Sequence, residues 1–299
     1  MILVVGSTGK LGAEICRILA RKGIPIRALI RSTSDSLRVE RLKNYGSDLV
    51  LGDLRNPASL VDACRGIHAV ICTASALSSY QPFKNDFEAV DLEGVLNLID
   101  VASQAEVPHF VFISLSRNVD LESPLCNAKR AVEKYLRESG MVYTVLRPAF
   151  FMETWFSAAV GFDPVAGKAI IYGDGNSPIC WISTRDVAQF AVHSLFNPLA
   201  YDATLELGGP QALSPRQVIR IFEEASQRNF ELTYVSEKTL REQLKVARDP
   251  LQQTWTSLRL CYAHGDRVVN PNPLFSYPNP PILVETYSTT LTGLMHLVV

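Results

Sequence analysis

The sequence lacks the cysteine and histidine patterns of metal-binding and disulfide-rich proteins. Its six cysteines are dispersed along the chain with no Cys-x-x-Cys pair, and its five histidines are equally scattered. No spacing between these residues matches a metal-ligand motif. We therefore expect no metal site, and we expect reduced, mostly buried thiols in a reducing compartment.

Long apolar runs and an excess of charge of one sign are also missing. No uncharged apolar run reaches the ~20 residues needed to cross a bilayer, and no basic or cleavable segment precedes the apolar run that begins at Ile2. The formal net charge is -1, which gives no general attraction for nucleic acid or anionic membranes. We expect a cytoplasmic protein that is not integral to a membrane and binds no nucleic acid.

Three common catalytic motifs are absent as well. The chain contains no HExxH, no GxSxG and no GxxxxGK[ST]. Metalloprotease, serine-hydrolase and P-loop functions therefore have no support in the sequence.

The first half of the chain alternates short apolar runs with longer helical patterns. Strands are predicted at 2–5, 26–30, 48–51, 68–73, 109–114 and 143–147, with helices between them. Such an alternation predicts parallel strands joined by right-handed crossovers. We therefore expect an α/β fold in which residues 1–150 form a doubly wound, parallel-sheet Rossmann domain.

The pattern changes after Pro148, and residues 151–299 are interpreted as a smaller C-terminal substrate or partner region. Strand-like runs at 168–176, 179–182 and 203–209 can return to the main sheet, and helices are predicted at 184–196, 214–228, 237–247 and 250–263. From Asn270 the chain shows no clear periodicity and supports no assignment.

A glycine-rich loop lies between the first strand and the first helix. Gly6 allows a tight turn, Gly9 lets the backbone approach a pyrophosphate, and Gly12 lets the helix pack closely. The helix N-terminus adds free N–H groups and a positive dipole end. The predicted phosphate site comprises Gly6, Ser7, Thr8, Gly9, Lys10, Leu11 and Gly12. A purely structural loop is the alternative.

The end of the second strand bears on the choice between NAD and NADP. NAD-dependent enzymes place an acid there to bind the ribose 2′-hydroxyl, whereas this chain has Arg31 and Ser32. Arg31 can pair with a 2′-phosphate through two parallel hydrogen bonds, and Asp35 fits a helix cap. NADP(H) is therefore the predicted cofactor, with a solvated surface arginine as the alternative for Arg31.

Two further loops complete the predicted cofactor site. Asp53 and Leu54 follow the third strand, where they would lie near the adenine, although Asp53 fits equally well as a loop acid. Thr73, Ala74 and Ser75 follow the fourth strand and are small residues where the cofactor would cross the sheet edge.

The order of several segments resembles the NmrA-like group of atypical short-chain dehydrogenases/reductases over about residues 1–265. The segments that carry the resemblance are 6–12, 27–32, 51–71, 128–155, 182–198 and 205–226. Residues 173–195 and 251–260 look most like the branch of cyanobacteria and plastids that assists photosystem II assembly, although the tail after 265 departs from it. That branch implies a protein partner and a plastid stroma or thylakoid-associated location.

The resemblance also raises a catalytic question. Short-chain dehydrogenases usually carry Tyr-x-x-x-Lys on the fifth helix, and the matching positions here are Leu125 and Lys129. Leucine cannot transfer a proton, and Tyr135 lies on another helix face. Ser114, with Ser116, stands where the family's catalytic serine usually lies, or these are only small residues at a strand exit.

Three interpretations of Lys129 remain open. It can orient the ribose and act as the acid/base, as the resemblance to isoflavone and phenolic-ether reductases implies. Water or substrate can carry the proton instead, or the protein binds NADP(H) without turnover. A solvated helix lysine is the structural alternative.

The substrate end is predicted from the residues that follow the sixth strand. Pro148 ends the strand, so backbone groups after it can face the nicotinamide carboxamide. Aromatic residues at 150–156 would roof the site or simply pack in the core. The leading hypothesis is an NADPH-dependent reductase of a hydrophobic, quinone-like or aromatic substrate. The alternative is a non-catalytic NADP(H)-binding regulator or assembly factor.

Overall fold

The computed structural model describes residues 1–79, 81, 86–268 and 279–296, the last three as backbone only. The strands are β1 (Ile2–Val5), β2 (Ile26–Ile30), β3 (Asp48–Leu51), β4 (Ala69–Cys72), β5 (His109–Ile113), β6 (Val142–Pro148), β7 (Phe162–Asp163), β8 (Lys168–Tyr172), β9 (Ala203–Leu207) and β10 (Glu231–Val235).

The α-helices alternate with the first six strands and then dominate the second half of the chain. They are α1 (Lys10–Arg21), α2 (Ser36–Asn44), α3 (Val61–Cys64), α4 (Glu93–Gln104), α5 (Pro124–Glu138), α6 (Met152–Trp155), α7 (Thr184–Ser194), α8 (Pro215–Ser226), α9 (Glu237–Val246), α10 (Pro250–His264) and α11 (Val284–His296). A π-helical turn, Phe87–Leu92, leads into α4.

The main sheet has seven strands in the order β3-β2-β1-β4-β5-β6-β9. Every neighbouring pair is parallel. The predicted doubly wound Rossmann sheet is therefore confirmed. Strand order reverses between β1 and β4, and ligands of such sheets bind in the crevice at that point, outside the carboxyl ends of the strands.

Residues after 150 contribute to two parts of the molecule, the main sheet with its covering helices and a region around a second sheet. β9 forms one edge of the main sheet, and α7 packs against α1. A second sheet, in the order β10-β8-β7, packs with α6 and with α8 to α11. Within the described part of the chain, none of the helices has the length and apolar character that a bilayer crossing requires.

The prediction of a regular strand at 179–182 is wrong. Ile179 and Ile182 make only isolated bridges, to Leu213, Asp266 and Phe151. The segment changes partners as it crosses between the two parts of the molecule, so its apolar run reflects burial and not a continuous ladder. β10 and α11 were not predicted, because exposed polar residues interrupt β10 and four threonines and one serine dilute the apolar periodicity of α11.

The core consists of three apolar clusters. One lies under α1 and α7 on one face of the main sheet, and the second lies under α4 and α5 on the other face. The third, aromatic-rich cluster joins α6, α8 and α10 to the second sheet. Covering both faces explains why β1 and β4 are apolar along their whole length and β5 is apolar after His109.

The glycine loop is held by two close backbone approaches. Gly6 has a φ of +80°, and a Cβ there would lie 2.6 Å from Thr73 Oγ1. A Cβ on Gly12 would lie 2.2 Å from the carbonyl oxygen of Gly6. The first turn of α1 therefore packs directly on the Gly6 turn, which fixes the position of the loop.

We expect Gly12→Ala to lower the free energy of unfolding by about 1–3 kcal/mol, because the new methyl group would meet backbone atoms that cannot move independently. This loss should outweigh the roughly 1 kcal/mol by which alanine is favoured over glycine within a helix. Gly9→Ala is the matched control, since Gly9 has a φ of -75° and its nearest contact would be 3.2 Å. Urea unfolding followed by circular dichroism measures both, and equal stability of the two variants would contradict the packing argument.

Candidate functional site

A cleft of about 900 Å³ lies at the carboxyl edge of the main sheet. The residue that follows each of the first six strands contributes to it. These residues are Gly6, Arg31, Gly52, Thr73, Ser114 and Ala149. The topology thus gathers side chains that are far apart in sequence into one crevice.

Most of the residues predicted for the site border this one cleft. They are Gly6, Thr8, Gly9, Lys10, Leu11, Gly12, Arg31, Asp53, Leu54, Thr73, Ala74, Ser75, Ser114, Lys129 and Pro148. Ser7 and Ser32 are not among its lining residues. Ser7 is fully buried behind the loop, where its hydroxyl donates to the Leu29 carbonyl at 2.7 Å, and Ser32 is exposed.

The mouth of the cleft beside the glycine loop is basic. Arg31 lines it, as does Arg38, a residue that the sequence analysis missed. Asp35 caps α2 by accepting a hydrogen bond from the Arg38 amide, and the Arg38 guanidinium reaches the Thr8 carbonyl at 3.4 Å. The signal for Arg38 was its place in the first turn of the helix that follows β2.

Asp53 lies at the same mouth but is engaged by a neighbour. Its carboxylate accepts two hydrogen bonds from the Arg55 guanidinium, at 2.8 and 2.5 Å. The hydrogen bonds from Arg55 hold the pKa of Asp53 below its usual value, against the opposing effect of burial. The carboxylate that the loop after β3 presents to the cleft is therefore already paired with the Arg55 guanidinium.

Lys129 is buried and is not a solvated helix lysine. Its side chain is 4% exposed and its Nζ lies 3.2 Å from Asp91 Oδ1, a carboxylate that is fully buried. The same ammonium donates to the Ala74 carbonyl at 3.1 Å and lies 4.9 Å from the centre of the Phe112 ring. Asp91 was missed by the sequence analysis, because nothing local marks a partner that lies 38 residues away.

Ser114 has a structural partner. Its hydroxyl donates to Glu133, which is fully buried and also accepts from Arg130 and Arg147. Burial alone would raise the pKa of Glu133, but the hydrogen bonds from Arg147 and Ser114 and the charge of Arg130 outweigh it, so the pKa is lowered. This network joins α5 to the ends of β5 and β6.

Ser116 also donates away from the cleft. Its hydroxyl bonds to Asp266 Oδ1 at 2.8 Å, and Asn118 donates to the same oxygen at 2.7 Å. Burial raises the pKa of Asp266 to about 6, although these two hydrogen bonds oppose it. Both serine hydroxyls therefore donate their hydrogen bond to a carboxylate of the protein and not to a ligand in the cleft.

The other end of the cleft is aromatic and apolar. Of the predicted roof, Phe150, Phe151 and Trp155 line it, whereas Met152 and Phe156 pack in the third core cluster. α10 adds residues that the sequence analysis did not assign to the site. They are Trp255, Leu258 and Arg259.

The position of the usual catalytic tyrosine is apolar. Leu125 borders the cleft and is 1% exposed. Tyr135 is exposed and donates its hydroxyl to Asp100 at 2.6 Å, so it takes no part in the cleft, as predicted. No phenol therefore stands one helical turn before Lys129.

The family model described as NmrA-like matches residues 1–265. This chain belongs to the NmrA-like family. The matched residues agree with the extent of the resemblance found in the sequence, and the segment after 265 lies beyond it.

Relatives of the chain have names of two kinds. Photosystem II assembly factor Ycf39 of Synechocystis sp. is 32% identical over 244 residues, covering 80% of this chain and 72% of that protein. An NAD(P)H azoreductase of Xenophilus azovorans is 31% identical over 220 residues, covering 73% of this chain and 71% of that protein. Sequence identity alone therefore does not separate an assembly role from a reductase role within this family.

Solved structures share the fold across almost the whole chain. The NADPH-dependent quinone oxidoreductase QOR2 from Escherichia coli matches with a TM-score of 0.77 at 21% identity, covering 97% of this chain and 99% of that one. The triphenylmethane reductase of Citrobacter sp. matches with a TM-score of 0.77 at 18% identity, covering 98% and 100%. At these identities the likeness establishes the architecture of this NmrA-like protein.

We expect Glu133→Gln to lower the free energy of unfolding at neutral pH by about 3 kcal/mol, because it removes the buried carboxylate that pairs with Arg130, Arg137 and Arg147 and leaves Arg147 with Glu206 alone. The folded-state pKa of Glu133 is lowered, so its contribution is fully present above the unfolded-state pKa of about 4.3 and is lost as the pH falls through the folded-state value. The difference between native and variant proteins should therefore shrink on acidification.

Denaturant unfolding at several pH values measures this effect. Glu138→Gln, at an exposed position on the same helix, removes the same charge and should change stability little. A Glu133→Gln penalty that stays constant from neutral to acidic pH would contradict the assignment.

Proposed function

We propose that this protein is an NADPH-dependent reductase of a hydrophobic, quinone-like or aromatic substrate. The observation that carries the proposal is the continuity of one cleft, which joins a glycine loop, a basic mouth, a buried lysine and an aromatic end. A dinucleotide needs the first three features, and an apolar acceptor needs the last.

The loop residues fit a dinucleotide phosphate. Gly9 precedes α1 without a side-chain cap, so the first amides of the helix remain available to an anion. A larger residue at Gly9 would fill the space that a pyrophosphate requires. Arg31 and Arg38 at the same mouth provide the positive charge that suits a 2′-phosphate, in line with NADPH-dependent neighbours of the same fold.

NADPH supplies a hydride when it is bound. Lys129 is suited to orient the ribose and the acceptor, because the ammonium carries three N–H groups and its one hydrogen bond among the described residues is to the Ala74 carbonyl, beside the ion pair with Asp91. Asp91 stabilises the ammonium charge, so Lys129 acts as a hydrogen-bond donor. Leu125 supplies no proton, which favours acceptors that take their proton from water.

A second candidate function is supported by Leu125 and by the assembly-factor relatives. In this function the protein binds NADP(H) without turnover and acts on a protein partner, in a plastid stroma or at a thylakoid surface. For the reductase function we propose a cytoplasmic location instead.

We expect Arg31→Ala to weaken NADPH binding by about 10- to 100-fold while leaving NADH binding nearly unchanged, since only NADPH carries the 2′-phosphate and a charged hydrogen bond contributes about 1.5–3 kcal/mol. Calorimetric titration with both cofactors measures the effect. Arg41→Ala is the control, because Arg41 is exposed on α2 and does not line the cleft. Equal affinity of the native protein for NADPH and NADH would exclude this assignment.

We expect Lys129→Met to reduce the rate of NADPH oxidation with quinones by about 10²–10⁴-fold, because the variant loses the positioned donor. The matched control is Lys134→Met, at an exposed position on the same helix. Stopped-flow absorbance at the NADPH band measures the rate. Lys129→Met that turns over as fast as an active native protein would remove Lys129 from the mechanism.

Leu125→Tyr should add reduction of simple carbonyls, because it restores a phenol at i, i+4 from Lys129. A native protein that binds NADPH but oxidises it with no quinone or azo acceptor would instead support the second candidate function.

A further inference from the structure

Three residues of α10 face the aromatic end of the cleft. Trp255, Leu258 and Arg259 are spaced i, i+3 and i+4, so they share one face of the helix. Trp255 meets Trp155 edge to face with ring centres 6.2 Å apart. Arg259 is thus a charged group set into an aromatic wall.

Arg259 forms no ion pair within the part of the chain that the structure describes. Its guanidinium lies 5.2 Å from the centre of the Tyr172 ring, and no carboxylate of the described residues forms an ion pair with it. Positions 80, 82–85, 269–278 and 294–299 contain neither aspartate nor glutamate. Those positions therefore supply no acidic side chain that could form the missing ion pair.

The side chain is also partly withdrawn from water. Its Nε is buried and has no hydrogen-bond acceptor among the described residues, whereas a solvated surface arginine would have all its N–H groups hydrated. Burial raises the pKa of the adjacent Tyr172, and the charge and hydrogen bonding of Arg259 oppose that rise. Tyr172 therefore stays a neutral phenol and does not neutralise the guanidinium.

Lys129 and Arg259 both line the cleft, but they differ in whether a carboxylate of the protein pairs with them. Lys129 is paired with the buried carboxylate of Asp91, so its charge is compensated within the protein. Arg259 has no such ion pair, and its buried Nε has no acceptor among the described residues; a charge held in this way is costly unless a ligand supplies the opposite one.

We propose that Arg259 binds a carboxylate on the substrate, and that the substrate class is therefore a flat aromatic acceptor that carries an acidic group. The planar guanidinium matches a carboxylate through paired hydrogen bonds, while Trp155, Trp255 and Phe150 contact the rings. This inference rests on the proposed function in assuming that the aromatic end holds the substrate. It adds the charge that the substrate must bear.

The dinucleotide phosphates are assigned to different cations. Arg31 and Arg38 lie beside the glycine loop after β2, whereas Arg259 belongs to the third core cluster region with Tyr172 of β8. We therefore assign an anion at Arg259 to a second molecule, the substrate.

A matched pair of probes tests the proposal by binding alone. The carboxylate 4-phenylazobenzoate and its neutral methyl ester have nearly the same shape, and both quench the fluorescence of tryptophans such as Trp155 and Trp255. Titrations with NADP⁺ present exclude turnover. We expect the native protein to bind the carboxylate at least about tenfold more tightly than the ester, as a charge-assisted pair implies, and this preference should fall as salt is raised.

The variants distinguish a specific contact from a general charge effect. Arg259→Met should abolish the preference, because it should weaken the binding of the carboxylate probe and leave the binding of the ester unchanged. Arg228→Met removes the same charge from an exposed position outside the cleft and should retain the preference. Arg259→Gln is a second variant if the methionine variant does not fold, and Arg259→Lys should give an intermediate preference.

The outcomes separate this inference from the proposed function. The inference would be overturned if the native protein bound the two probes with equal affinity or bound neither of them. It would also be overturned if Arg259→Met and Arg259→Gln lost affinity for both probes to the same extent. Quinone-dependent NADPH oxidation, measured on the same samples, tests the reductase function independently. A carboxylate preference without any oxidation would uphold the role of Arg259 and remove the reductase proposal.

Discussion

The arrangement of the cleft depends on two buried charges that lie one turn apart on α5. Lys129 and Glu133 face inward at i, i+4, and each has its own partners, Asp91 for the lysine and Arg147 for the glutamate. An unpaired charge in either place would be strongly destabilising. The helix can therefore dock on the sheet in only one rotation and one register. That rotation brings Lys129 to the inner wall of the cleft and turns the hydroxyl of Ser114 away from it.

The main sheet could be predicted because parallel strands covered on both faces are continuous apolar runs. β1, β2 and β3 lie at the predicted residues, and the other predicted strands of the sheet differ by one or two residues at their ends. The glycine loop was equally visible, since Gly6 and Gly12 are required by local backbone contacts. Segment 179–182 was misassigned because burial, and not pairing in a ladder, makes it apolar.

The parts of the site that escaped prediction are set by tertiary contacts. Asp91, which compensates Lys129, lies on a turn of helix that carries no motif of its own. Ser7 sits within the loop motif, yet its hydroxyl serves β2 and not the cleft. Arg259 lies on a helix whose apolar residues are not confined to one face, and only the docking of α10 against the aromatic cluster shows that Trp255, Leu258 and Arg259 border the cleft.

The return of β9 to the main sheet has a consequence for synthesis of the chain on the ribosome. β6 ends at Pro148, but its outer neighbour begins only at Ala203, so the backbone of β6 is an open edge until the intervening residues have been translated. Open edges invite pairing with other chains. α7, which covers α1, is translated in the same interval. The nascent Rossmann sheet thus passes through a stage with one unprotected edge and one uncovered helix, when a chaperone would be most useful.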